Sequence, residues 1–164
     1  MSIYIHKSHN VNALIYHLVC PAKYRRVVFS EKVDQEIKNI CLEISNRYEI
    51  HFLEIGTDND HVHFLIQSVP TYSPTRISRI VKSITAREIF VRVPEVKKQL
   101  WGGNFWSSGY FISTVGKNGT ETTVYEYVKN QGTKSQYNQL HKDQLRIFDW
   151  YLAGLPRGNS FWSA

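Results

Sequence analysis

The sequence predicts an α+β fold: an antiparallel sheet with two helices against one face and a further helix after the last strand. Three observations predict it. Apolar, β-branched runs recur at 11–20, 49–56, 61–69 and 110–116; helical spacing of apolar residues fills 31–47 and 74–92; and a polar turn at 57–60 joins two of the runs as a hairpin. Hydrophobic residues make up 42% and charged residues 21%, which suits a globular chain and excludes a disordered one. No repeat or Pro/Ser-rich linker divides the 164 residues, so one domain is expected over 1–164, with a core at about 10–131 and a tail at 132–164.

The elements follow in order. VNALIYHLVC (11–20) reads as the first strand, and PAKYRRVVF as a basic loop after it. Ser30 is placed to cap a helix over 31–47, whose apolar side is marked by Val33, Ile37, Ile40, Leu42 and Ile44. EIHFLEIG, the turn TDND and HVHFLIQSV form the hairpin. Pro70 and Pro74 precede the second helix, with Ile77, Ile80, Val81 and Ile84 as its apolar stripe, and Pro94 stops it. LWGGNFWSSG leads into the fourth strand YFISTVG, GKNGT turns, and ETTVYEYVKNQ (121–131) is a third helix capped by Thr120. The order β-α-β-β-α-β is the ferredoxin-like, or RRM-like, arrangement, and it fixes no chemistry by itself.

No apolar run reaches membrane length, and MSIYIHKSHN lacks the apolar segment of an export signal, so a cytoplasmic chain without a membrane partner is expected. Cys20 and Cys41 are then reduced thiols, and they lack metal-ligand spacing. The net charge of +6 favours a polyanion partner, of which nucleic acid is the commonest. Lys23, Arg25 and Arg26, with Arg76, Arg79, Lys82 and Arg87, are candidate DNA contacts, although each reads equally well as a solvated charge.

His61 and His63 alternate in one strand, so both imidazoles project from one side while Val62, Phe64 and Ile66 project from the other. Two neutral imidazoles on one face can share a divalent cation. Two histidines in a strand need no ligand, but this strand is otherwise apolar, and polar rings there call for partners. Asn59 and Asp60 could add oxygen ligands; their position favours shaping the turn. On the third helix, Tyr127 and Gln131 lie four residues apart, hence on one face. An amide oxygen is a suitable third ligand, and a phenol beside a metal-polarised phosphodiester is a usable nucleophile. Tyr125 competes, but four residues beyond it stands Lys129, which binds no metal while protonated.

Together these stretches resemble the single-tyrosine HUH transposases, the IS200-like family of insertion sequences. His61-Val62-His63 is the His–hydrophobic–His motif, and HLVCPAKYRRVVF, FWSSGYFISTVGKN and YEYVKNQ look like that family in the expected order over about 10–131. Where the family has Pro-Lys-Tyr-Arg, this chain reads Pro21-Ala22-Lys23-Tyr24-Arg25, a one-residue insertion that affects loop detail. The resemblance implies that His61, His63 and Gln131 hold Mg2+ or Mn2+ and that Tyr127 is the nucleophile. It implies a DNA transposase that cleaves and rejoins single-stranded DNA through a 5′-phosphotyrosine. It also implies hairpin substrates at element ends, and a homodimer joined through the fourth strand. The rivals are a relative acting on dispersed palindromic repeats or a relaxase-like nickase, and a non-catalytic nucleic-acid-binding module of the same fold.

Overall fold

The computed structural model describes residues 5–115. The expected third helix, Tyr127, Gln131 and the tail 132–164 lie outside the described residues.

Four antiparallel strands form one sheet: β3 (Leu14–Pro21), β4 (Ile50–Thr57), β5 (His61–Ser68) and β6 (Phe111–Thr114), in the order β4-β5-β3-β6. With α1 (Glu31–Arg47) after β3 and α2 (Pro74–Arg92) after β5, this is the expected ferredoxin-like order. The first expected strand is divided: β1 (Ile5–His6) pairs with β2 (Val11–Asn12) in a separate two-stranded ribbon, and only Leu14–Pro21 enters the main sheet. Pro94 does end α2, but it also opens the short helix α3 (Pro94–Gln99), where a first-turn proline loses no hydrogen bond.

Ser30 caps α1 by accepting from the Val33 amide, and Ser73 caps α2 by accepting from the Arg76 amide. The two helices pack on the sheet through Val33, Ile37, Ile40, Ile77, Val81 and Ile89 against Leu18, Cys20, Phe64 and Ile66. Leu42, expected on the apolar side of α1, is 63% exposed; Cys41, one position earlier, takes the buried place. Five residues separate Leu42 from Ile37, which turns it away from the α1 stripe.

Alternation sorts the two central strands cleanly. Leu18 and Cys20 face the helices, as do Val62, Phe64 and Ile66, so Ile15, His17, Val19, His61, His63, Leu65 and Gln67 face the other way. Ile15, Leu65 and Val115 make a second, small apolar cluster on that opposite face. After α3 the chain reverses through Gly102 (φ +86°) and Gly103 (φ +75°), a left-handed pair that glycine adopts without strain. Trp106 then locks the returning segment by donating from its indole to Thr85 Oγ1 on α2. Among the described residues no helix is long and apolar enough to cross a membrane.

Candidate functional site

The β3–β5 register pairs Pro21 with His61, Val19 with His63 and His17 with Leu65. His17 and His63 are therefore diagonal neighbours on the face away from the helices. His63 Nδ1 lies 2.9 Å from His17 Nε2, with the rings stacked at 14° and their centroids 5.2 Å apart. The His61 and His63 rings are 4.8 Å apart, as the strand alternation requires. His63 is fully buried and His17 nearly so, whereas the His61 ring keeps 15% exposure. Gly56 stands opposite His63 on β4 and brings no side chain toward it.

Burial disfavours the charged imidazolium. It pushes His17 down to about 4, and it pushes His63 well below the usual histidine range, helped by the neighbouring His17 and His61. Both rings are thus neutral near pH 7 and able to offer a lone pair. In the His17–His63 contact one ring donates and the other accepts. When His63 Nδ1–H donates to His17 Nε2, the lone pair of the His63 ring is on Nε2.

His61 is held differently. Its Nδ1 lies 2.7 Å from Asp60 Oδ1, and Asp60 Oδ2 accepts from Arg25 Nε at 2.6 Å. Burial alone would raise the Asp60 carboxyl, but the His61 and Arg25 contacts outweigh it and bring it down to about 2. The expectation that residues 59–60 merely shape the turn holds for the backbone, where the Asp58 amide donates to the His61 carbonyl. It fails for the Asp60 side chain, which is spent on the imidazole.

The basic candidates divide. Lys23 is 4% exposed, with its ammonium 4.9 Å from the Tyr24 ring centre. Lys82 donates to the carbonyls of Ser107, Ser108 and Gly109, clamping the segment before β6. Each of the two ammonium groups has found partners within the chain. Arg25 is committed to Asp60, Arg76 stacks over Tyr72, and Arg26, Arg79 and Arg87 are exposed. Arg79, Lys82 and Arg87 line a cavity of about 590 Å³ between α2 and residues 103–110. None of His17, His61 and His63 lines that cavity.

Among the described residues no three His, Cys, Asp or Glu side chains gather into a metal site. His61 and His63 stand side by side on one face, and the other expected site residues, Tyr127 and Gln131, lie outside the described residues. Reading by sequence missed His17, and it gave Asp60 to the turn rather than to the His61 imidazole. The signal for His17 was available: a lone histidine in the apolar run LIYHLVC shows the same mismatch that singled out His61 and His63.

Comparison with known proteins gives concordant matches. The family model for IS200-like transposases matches residues 10–131. The ISDra2 transposase TnpA of Deinococcus radiodurans is 33% identical over 124 residues, covering 76% of this chain and 88% of the relative. The transposase of insertion sequence IS200 from Salmonella typhimurium is 27% identical over 116 residues, covering 71% of this chain and 75% of that one. Among solved structures, a Deinococcus radiodurans protein assigned as a transposase superimposes with a TM-score of 0.62 at 27% identity, covering 77% of this chain and 98% of its own. A REP-associated tyrosine transposase bound to a REP hairpin gives 0.52 at 10% identity, covering 78% of this chain and 70% of that one, a likeness of fold alone.

Proposed function

Because the chain belongs to the IS200-like transposase family, we propose that it cuts and rejoins single-stranded DNA hairpins at insertion-sequence ends through a covalent bond to Tyr127. The observation that supports this most is the pair of adjacent imidazoles, each with Nδ1 engaged, His61 by Asp60 and His63 by His17. With Nδ1–H as the donor in each contact, Nε2 would be the ligand atom of each ring, and burial keeps His63 neutral. His61, His63 and the amide oxygen of Gln131 would hold Mg2+ or Mn2+, whose other positions suit phosphate oxygen and water. A cation bound there would make the phosphorus more electrophilic and offset charge on its oxygens.

The phenol of Tyr127 gives up its proton and its oxygen attacks the phosphorus. The bond from phosphorus to the 3′ oxygen breaks, and that oxygen takes up a proton to become a free hydroxyl. The 5′ phosphate stays on the tyrosine, so a phosphodiester is exchanged for a phosphotyrosyl ester. Attack by another 3′-hydroxyl reverses the step and frees Tyr127, without ATP. The REP-associated transposase that shares this fold is bound to a hairpin, and a DNA hairpin is the substrate proposed here. β6 lies at the edge of the sheet, pairing only with β3 among the described strands, and its outer side is the proposed seam of a homodimer.

The test uses labelled single-stranded hairpins taken from the DNA flanking the gene for this chain. Incubated with Mg2+ or Mn2+ and run on a denaturing gel, they should give a band at the combined mass of protein and DNA. Tyr127→Phe should abolish that band. An adduct that survives in this variant would move the nucleophile to another tyrosine, Tyr125 first. No adduct with the unaltered chain in either metal would overturn the reading.

A further inference from the structure

Arg25, Asp60 and His61 form a continuous hydrogen-bonded row: Arg25 Nε to Asp60 Oδ2 at 2.6 Å, and Asp60 Oδ1 to His61 Nδ1 at 2.7 Å. Arg25 has not arrived there by relaxed surface geometry. Tyr24 and Arg25 both adopt left-handed backbone angles, φ +59° and +54°, in which residues other than glycine are uncommon. Strain of this kind persists only where the surroundings over-determine it. Here they do. The Ala22 amide donates to the Asp60 carbonyl, the Lys23 amide to the Phe105 carbonyl, and Ser107 bonds back to the carbonyls of Pro21 and Ala22. The turn is pinned from two sides, and the result is an arginine aimed at the carboxylate beside His61.

A carboxylate is an acceptor only, so its contact with Nδ1 requires the proton on that nitrogen. In the neutral ring the other nitrogen, Nε2, is then the lone-pair atom; it stands 4.0 Å from Asp58 Oδ2, beyond hydrogen-bond length. We propose that Asp60, itself held by Arg25, is a positioning residue that fixes His61 in its Nδ1–H tautomer and so aims Nε2 at the cation. The row makes Arg25 part of the ligand's support rather than a phosphate contact, and it gives the strained turn a purpose. The metal-binding consequence rests on the proposed function above; the tautomer does not.

Two readouts on the full chain separate the two. In ¹⁵N spectra of the histidine side chains without metal, His61 should show the Nδ1–H tautomer. Asp60→Ala should erase that preference, and Asp60→Asn, which keeps the shape but can donate as well as accept, should weaken it. Titration with Mn2+ alone should show affinity falling roughly 10- to 100-fold in Asp60→Ala, the usual effect of removing such a partner. Arg25→Ala should follow in the same direction, and Arg25→Lys should recover part of the loss. An unchanged His61 tautomer in a folded Asp60→Asn or Asp60→Ala chain overturns the proposal, as does unchanged Mn2+ affinity in Asp60→Ala. A native chain with the stated tautomer but no Mn2+ binding would leave the orientation standing and remove the metal from the function.

Discussion

Acidification should unfold this protein in a window set by its buried histidines. His17 is 8% exposed and its imidazole is pushed from 6.5 down to about 4 because burial penalises the charged ring. The sign is fixed by proton uptake. Above pH 6.5 neither folded nor unfolded chain protonates this ring, and it contributes no pH dependence. Between 6.5 and about 4 the unfolded chain binds a proton that the folded chain refuses, so stability is lost as pH falls. At about 1.4 kcal/mol for each tenfold change in proton affinity, the full loss from His17 is about 3 kcal/mol near pH 4. Against a total stability of roughly 5–15 kcal/mol, that is a large share. His63 acts in the same direction. Asp60 does not confuse the window: its carboxyl, held at about 2, contributes stability that is present above pH 3.8 and lost only below the histidine range. Urea titrations at steps from pH 7 to pH 4, repeated on His17→Gln, read the effect. The midpoint of the native chain should fall as pH drops, and the variant should lose part of that dependence. Equal slopes in the two proteins would show that His17 is not a neutral buried ring, and the account of this face would be wrong.

Other consequences can be measured on the same material. Mn2+ at about a hundred times its dissociation constant should stabilise the folded chain by about 2.7 kcal/mol, seen as a raised melting temperature that is lost in His61→Ala. Lys82→Met should cost about 2 kcal/mol in chemical unfolding, because it strips a charged donor from three carbonyls of residues 107–109. Arg79→Ala and Arg87→Ala, both at exposed positions, should leave stability nearly unchanged; if they meet DNA, each should lower the salt dependence of binding by about one ion. Phe64→Ala empties a fully buried place between sheet and helices and should cost about 3–5 kcal/mol in urea unfolding, without altering the histidine signals on the other face.

Most of the fold was legible because period decides it. Both long helices occupy the spans that apolar spacing and the flanking Ser30 and Pro94 predict, and alternation on β5 places His61 and His63 on one side. The failures have a common physical origin. Leu42 obeys composition but not angle: its position on α1 turns it outward. Val11–Asn12 and Leu14–Pro21 read as one strand because the sequence does not say which neighbour each will pair with. Pairing is settled between segments distant in the chain, which a local pattern does not contain.

The same limit governs the site, and it bears on how the chemistry is built. His61 and His63 announce themselves by being two apart. His17 and Arg25, the partners of His63 and Asp60, lie 46 and 35 positions away from them along the chain, so no spacing rule could connect those pairs. Yet each partner has a structural reason to be where it is. His17 reaches His63 because β3 and β5 pair antiparallel with Val19 opposite His63. Arg25 reaches Asp60 because the chain leaving β3 is forced through two left-handed residues and tied to the segment at 105–107. Both supports issue from β3 or the turn that follows it, one for each imidazole of β5. A displacement of β3 would therefore disturb both rings at once, while a change at β4 would reach them only through β5. That asymmetry makes β3, rather than the hairpin bearing the motif, the element on which the geometry of the two imidazoles depends.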